Sequence, residues 1–257
     1  AASYTFGHSK SVYDGTSSVA YSNWKYNYAV DTNNPGLAYS MFDIPHRVMA
    51  SVSYTTPRYA NGFLATTVSL IYNGYVGQRY SLTMNESYYN ADTKKTVYID
   101  YNGDGWGGNS LLYIPTEDEL KKMDFKTEED RQNFNNWIEG DSYAKKHRGQ
   151  YADRNSNSAP WENRIDLHVA QDIFVLKDRG SKFQVTFDVT NFANMLNKKW
   201  GSSYAAAYNV MPLQVIGNKK GDDGNYTNTY AYNSKNTITK NDLLSRWHAQ
   251  IGVKYIF

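Results

Sequence analysis

The sequence predicts an all-β fold, an antiparallel transmembrane β-barrel segment of about six strands with long extracellular loops. Three observations predict it. Several segments alternate apolar and polar residues with period two, the signature of strands that separate two environments. Short and long connections between them alternate strictly, as periplasmic turns and extracellular loops do in outer-membrane barrels. No apolar run approaches the roughly 18 residues of a spanning helix, so any membrane crossing falls to strands.

The first segment, "AASYTFGHSK", reads as a strand already in progress, without the basic stretch and apolar core of a secretory signal. In "HRVMASVSYTT", Val48, Ala50, Val52 and Tyr54 oppose Arg47, Ser51 and Ser53. In "FLATTVSLIYNGY", Leu64, Val68, Leu70 and Tyr72 oppose Ala65, Thr67 and Ser69. "NRIDLHVAQDIFV" sets Ile165, Leu167, Val169 and Ile173 against Arg164, Asp166, His168 and Asp172. "KFQVTFDVTNF" sets Phe183, Val185, Phe187 and Val189 against Gln184, Thr186, Asp188 and Thr190. The terminal "WHAQIGVKYIF" places Trp247, Ala249, Ile251, Val253, Tyr255 and Phe257 on one face and Arg246, His248, Gln250 and Lys254 on the other. Tyr54, Tyr72 and Tyr255 fall near strand ends, where an aromatic girdle belongs.

"PRYANG" and "LKDRGSK" are the two short turns. The links near residues 11–45, 75–161 and 194–245 are long and rich in Asn, Asp, Gly, Ser and Tyr. The middle one carries two helix signals. "TEDELKKM" has Thr116 and Glu119 at capping-box spacing, and "TEEDRQNFNNWIEG" aligns Phe134, Trp137 and Ile138 before Gly140.

Composition sets limits on partners and chemistry. The 257 residues include 24 Tyr, 6 Trp and 10 Phe, a supply of aromatic surface unlike an aliphatic core. The net charge of +2, with no long basic stripe, argues against nucleic acid. Cysteine is absent, which removes disulfides, thiolate metal sites and a thiol nucleophile. There is no P-loop, dinucleotide glycine fingerprint or G-x-S-x-G elbow, so nothing supports an enzyme.

"DYNGDGWGGN" is the sharpest local motif. Asp100, Asn102 and Asp104 at alternate positions before Gly105 match the first half of an oxygen-ligand calcium loop, but Leu111 stands where such a loop needs its last acidic ligand. The alternative is a turn whose side chains bond their own backbone. The five histidines form no ligand pair at metal-binding spacing. Arg164, Asp166, His168, Asp172, Asp188, Arg246 and His248 are the expected lumen-facing residues, either meeting a plug or substrate or forming a ladder with one another. Trp106, Trp137, Trp161 and Trp200, in or near the loops, are candidate ligand contacts.

Four stretches, "NGDG…NSLLYIP", "DSYAKKHRGQYADRNSNSAPWENRIDLHVAQDI", "VTFDVTNFANMLNKKWG" and the aromatic terminus, carry a family resemblance, as does "DIPHR" before an alternating strand. Nearly the whole chain resembles the C-terminal part of TonB-dependent outer-membrane receptors of the Oar-like kind, common in Bacteroidota. Ser110 departs from the family's usual Asn-Asp-Leu form. The resemblance implies a bacterial outer-membrane location and a barrel of roughly 22 strands around an N-terminal plug, with residues 1–257 supplying the C-terminal wall and the plug lying outside this chain. It implies TonB-powered uptake of a bulky oligopeptide, glycan or chelate with no required cofactor. The implied partners are the rest of the receptor, the TonB complex, outer-membrane lipid and a surface lipoprotein. Ile251, Val253, Tyr255 and Phe257 look like the signal read by the barrel assembly machinery. A passive porin-type barrel and a secreted β-sandwich that binds glycans remain the alternatives.

Overall fold

The computed structural model describes residues 1–175, 181–205, 209–222, 224–235 and 238–257. It is mostly β, and its largest element is a six-stranded antiparallel sheet. The strands are β1 (Ala2–Phe6), β2 (His46–Thr55), β3 (Leu64–Tyr75), β4 (Glu162–Phe174), β5 (Lys182–Thr190) and β6 (His248–Ile256). They lie side by side in chain order, and the sheet does not close among the described residues.

Register is what gives the wall two faces. Val52 pairs with Leu70, Leu70 with Leu167, Leu167 with Val189 and Val189 with Ala249. One step along, Tyr54, Val68, Val169, Phe187 and Ile251 form a second row, and Tyr4 joins Val48 at the β1 side. A one-residue slip at any ladder would send a strand's apolar set to the other face. None of the five ladders has slipped, so the alternation read in each segment adds up to one continuous apolar face. Ile251, Val253, Val52 and Tyr54 on that face stay more than 60 % exposed.

The turn after β2 runs through Ala60, Asn61 and Gly62 with positive φ, a conformation that Asn and Gly accept readily. The second short turn, "LKDRGSK", lies mostly outside the described residues.

The long links depart from the expectation of loops holding two helices. They fold into a layer with its own hydrophobic core, and that core, rather than the sheet, contains the most buried residues. Leu82, Leu112, Ile114, Phe134 and Ile138 are fully buried there, with Leu213 at 1 % exposure. Arg79–Leu82 runs antiparallel to Asn157–Ser158, at the other end of its own link, and parallel to Asn209–Val210 of the last link. Asp124–Phe125, Tyr226–Tyr232 and Leu213–Lys220 form a second small sheet.

Both expected helices are present, and three further short α-helices accompany them among the described residues. The helices are α1 (Ala20–Lys25), α2 (Glu117–Lys122), α3 (Glu128–Gly140), α4 (Phe192–Leu196) and α5 (Asp242–Ser245). Thr116 and Glu119 form the full capping box of α2. Thr127 caps α3 by accepting from the Asp130 N–H at 3.0 Å, and Phe134 and Ile138, one turn apart, dock its apolar side into the core. No helix among the described residues is long and apolar enough to cross a membrane.

Two ion pairs with buried arginines tie the first link to the middle one. Arg79 Nε and Nη2 converge on Asp43 Oδ2 at 3.0 and 2.8 Å, and the Ser9 N–H fills Oδ1 at 2.6 Å. Arg154 pairs with Asp14 at 3.1 Å and also donates to Asn27 and to the Ser11 carbonyl. The pairs join residues 36 and 140 positions apart, so they fix the first link against both ends of the middle one.

Candidate functional site

The polar face of the wall is the first candidate surface. His168 Nδ1 meets Asp188 Oδ1 at 2.5 Å on the neighbouring strand. Asp172 accepts from Lys182 Nζ at 2.6 Å and Gln184 Nε2 at 2.7 Å, and Arg164 Nε donates to Asp166 at 3.0 Å. Ser53 with Ser69 and Thr55 with Thr67 continue the pattern across β2 and β3. His248 lies opposite Thr190 on the same face. Apart from Arg164 and Asp166, which are neighbours on one strand, these are cross-strand partners that hold the sheet, the ladder form of the expectation. Met49 and Ile71 interrupt the polarity of this face with exposed apolar side chains. Arg246 departs from its expected lumen row. It precedes β6, caps the C-terminal end of α5 and lines a groove at the rim.

The four tryptophans do not converge on one site. Trp137 stacks on Phe134 at 6.0 Å and packs against the loop core. Trp106 lies under Lys25 Nζ, 3.1 Å from its ring centre, with Tyr26 edge-on at 6.2 Å. Trp161 and Trp200 share one groove with Asn163 and Ile165. Ile165 belongs to the apolar face of the wall, so this pair sits at the rim of that face. Trp161 Nε1 and the Tyr72 hydroxyl both donate to Asn163 Oδ1, at 3.0 and 2.7 Å. Gly74 leaves the space: a methyl group there would come within 2.2 Å of the Tyr72 oxygen. At the opposite end of the same face, Phe183 and Tyr255 pack at 4.9 Å and Phe257 follows. Two aromatic ends therefore bracket an aliphatic band.

In the glycine-rich loop the side-chain oxygens turn toward nearby N–H groups. Asp100 accepts from the Asp104 and Gly105 amides at 3.1 and 2.8 Å, and Asn102 from the Asp104 amide at 3.3 Å. Asp104 accepts from the Trp106 amide, the Thr32 hydroxyl and Asn109 Nδ2 at 2.7, 2.6 and 2.7 Å. The arrangement is that of a self-bonded turn. It contains no group of three His, Cys, Asp or Glu suited to a metal among the described residues.

Sequence reasoning missed the acid beside this turn. Glu86 is 4 % exposed and accepts from the Asn109 N–H at 3.2 Å. Burial pushes its carboxyl up to about 7; bonds from Asn109 and Ser110 oppose the shift, and the Asp104 charge adds to it. Burial also acts upward on Asp43 and Asp104, but the hydrogen bonds to each outweigh it and hold both below the usual carboxylate value.

The pH dependence follows from those directions. Glu86, raised in the fold, contributes stability fully present below its unfolded value of 4.5 and lost as pH rises through about 7. Asp43 and Asp104, depressed, contribute above their unfolded value of 3.8 and lose it as pH falls. The loop layer is therefore expected to lose stability on going from mildly acidic to alkaline pH. Glu86→Gln should flatten that slope, as read by thermal unfolding at constant ionic strength. An unchanged slope in the variant would remove Glu86 as its source.

Comparison with family models, with curated proteins and with solved structures finds no match to this chain.

Proposed function

We propose that this chain forms the C-terminal wall and extracellular loop layer of a TonB-dependent outer-membrane transporter. The observation that supports this most is the registered apolar face, exposed across six strands and bracketed by aromatic residues, behind a polar face whose charges pair with one another. In water, such a face would be an exposed patch far larger than soluble monomers carry. In a bilayer it is the required outer surface.

The sheet has two edges, β1 and β6, and an unpaired edge in lipid leaves backbone groups unsatisfied at several kcal/mol each. The wall is therefore completed by further strands of the receptor, and the plug, the TonB complex, the assembly machinery and a surface lipoprotein are the partners this reading carries. The loop layer presents Lys25, Trp106 and Tyr26 toward solvent as a contact surface for a bulky substrate.

The test is the full polypeptide extracted from membranes. It should need detergent to stay in solution and should be nearly silent in a planar bilayer. Ungated conductance would favour a passive porin, and solubility without detergent a secreted sandwich.

A further inference from the structure

The rim above β5 and β6 carries side chains that neither the wall nor the loop core uses. Met195 and Leu196 on α4 and Leu243 and Leu244 on α5 are exposed, with Trp247 at the foot of α5 and Trp200 nearby. Between the two helices lies a groove of about 330 Å³ lined by Lys198, Lys199, Lys240 and Arg246. Asp242 is the one acid in that lining. Lys240 Nζ donates to the Lys198 carbonyl at 2.8 Å, which holds the two lysines together. Among the described residues, the charged ends of Lys198, Lys199 and Arg246 meet no acid within ion-pair distance.

Four cations against one carboxylate repel one another unless an anion joins them. The exposed leucines and methionine beside them are unfavourable in water but suited to the boundary of a hydrocarbon layer, where tryptophan also sits and cationic heads meet lipid headgroups. Lys199 is shared with the neighbouring groove of Trp161 and Trp200, which opens on the apolar face beside Ile165. The cations thus lie at the level where the apolar band ends.

We infer that this rim binds the phosphate groups of a phosphorylated lipid headgroup in the extracellular leaflet. Lys198, Lys199, Lys240 and Arg246 hold the phosphate, and Leu196, Leu243, Leu244 and Trp247 enter the acyl boundary. A free phosphate ion would satisfy the charges and leave the apolar side chains in water. The inference rests on the membrane reading of the wall.

The experiment uses the full receptor in detergent, and its need for detergent is recorded before any lipid is added. Solubility without detergent ends the membrane reading and this inference together. The receptor is then incubated with a bisphosphorylated diglucosamine glycolipid or its dephosphorylated counterpart, and the lipid retained through gel filtration is measured. Retention of the phosphorylated lipid should exceed that of the dephosphorylated one. It should fall about tenfold or more when Lys198, Lys199, Lys240 and Arg246 are all replaced by Gln, while protease resistance of the loop layer stays as in the parent. Excess inorganic phosphate should leave it in place. Equal retention of the two lipids, or undiminished retention by the variant, overturns the inference while the membrane reading stands. Displacement by inorganic phosphate assigns the site to the free ion and overturns the lipid assignment.

Discussion

Replacing Asp43 with alanine is expected to destabilise the loop layer by about 3–5 kcal/mol, the usual cost of removing one partner of a buried ion pair. Asp43 is 1 % exposed, and Arg79 directs two N–H groups at one of its oxygens while the Ser9 amide takes the other. Without that carboxylate, the Arg79 guanidinium stays buried over the Tyr39 ring, keeping only a weak bond to the Ser156 carbonyl at 3.4 Å. The expected result is loss of hydrogen-exchange protection in residues 7–45 and around Arg79, with the six-stranded wall unaffected. Asp43→Asn keeps an acceptor for Ser9 and should cost less. Protection unchanged in the alanine variant would mean that the first link is held by other contacts.

The second large effect concerns the apolar face. Leu167 sits near the middle of β4, between Leu70 and Val189. Leu167→Arg there should cost about 2–4 kcal/mol if the residue meets the bilayer midplane, and the variant should accumulate outside the membrane fraction. Gln250→Arg, on the opposite face beside Asp188, should insert normally. On a soluble protein both are ordinary surface changes worth about 0.5 kcal/mol or less. Equal behaviour of the two variants would remove the distinction between the faces on which the account depends.

The wall was legible because each long strand repeats a period-two pattern over nine or more residues in β2 to β6, and the register then aligns those patterns. The two helices in the middle link were legible from their caps. The loop core was not. The strand Arg79–Leu82 has only four residues, too few for its alternation to stand out, and burial of all four, Arg79 and Ser81 included, is set by distant partners. Leu213–Lys220 carries a register shift near Gly217 that breaks its period. The ion pairs Asp43 with Arg79 and Asp14 with Arg154 are long-range, and nothing local in the sequence marks a charge as a buried one. Trp137 read both as part of the apolar side of α3 and as a candidate ligand contact, because helical spacing does not say which structure covers the helix. Glu86 looked like any loop acid, since its raised carboxyl depends on burial beside Asn109.

The rim groove was missed for a related reason. Lys198, Lys199 and Lys240 are spread along the last long link and Arg246 opens the terminal segment, and only the approach of α4 to α5 brings them into one groove.

The measurement that tests the central claim most directly exploits the absence of cysteine from these 257 residues, with any cysteine elsewhere in the receptor replaced by serine. Single cysteines placed in turn at positions 163–170 of the full receptor, spin-labelled and reconstituted in bilayers, report whether each side chain meets lipid or water. The account predicts alternation with period two: labels at 165, 167 and 169 relaxed by oxygen dissolved in the lipid, and labels at 164, 166 and 168 relaxed by a water-soluble metal chelate. Access of the chelate to 165, 167 and 169 would contradict it, because the apolar face would then meet water.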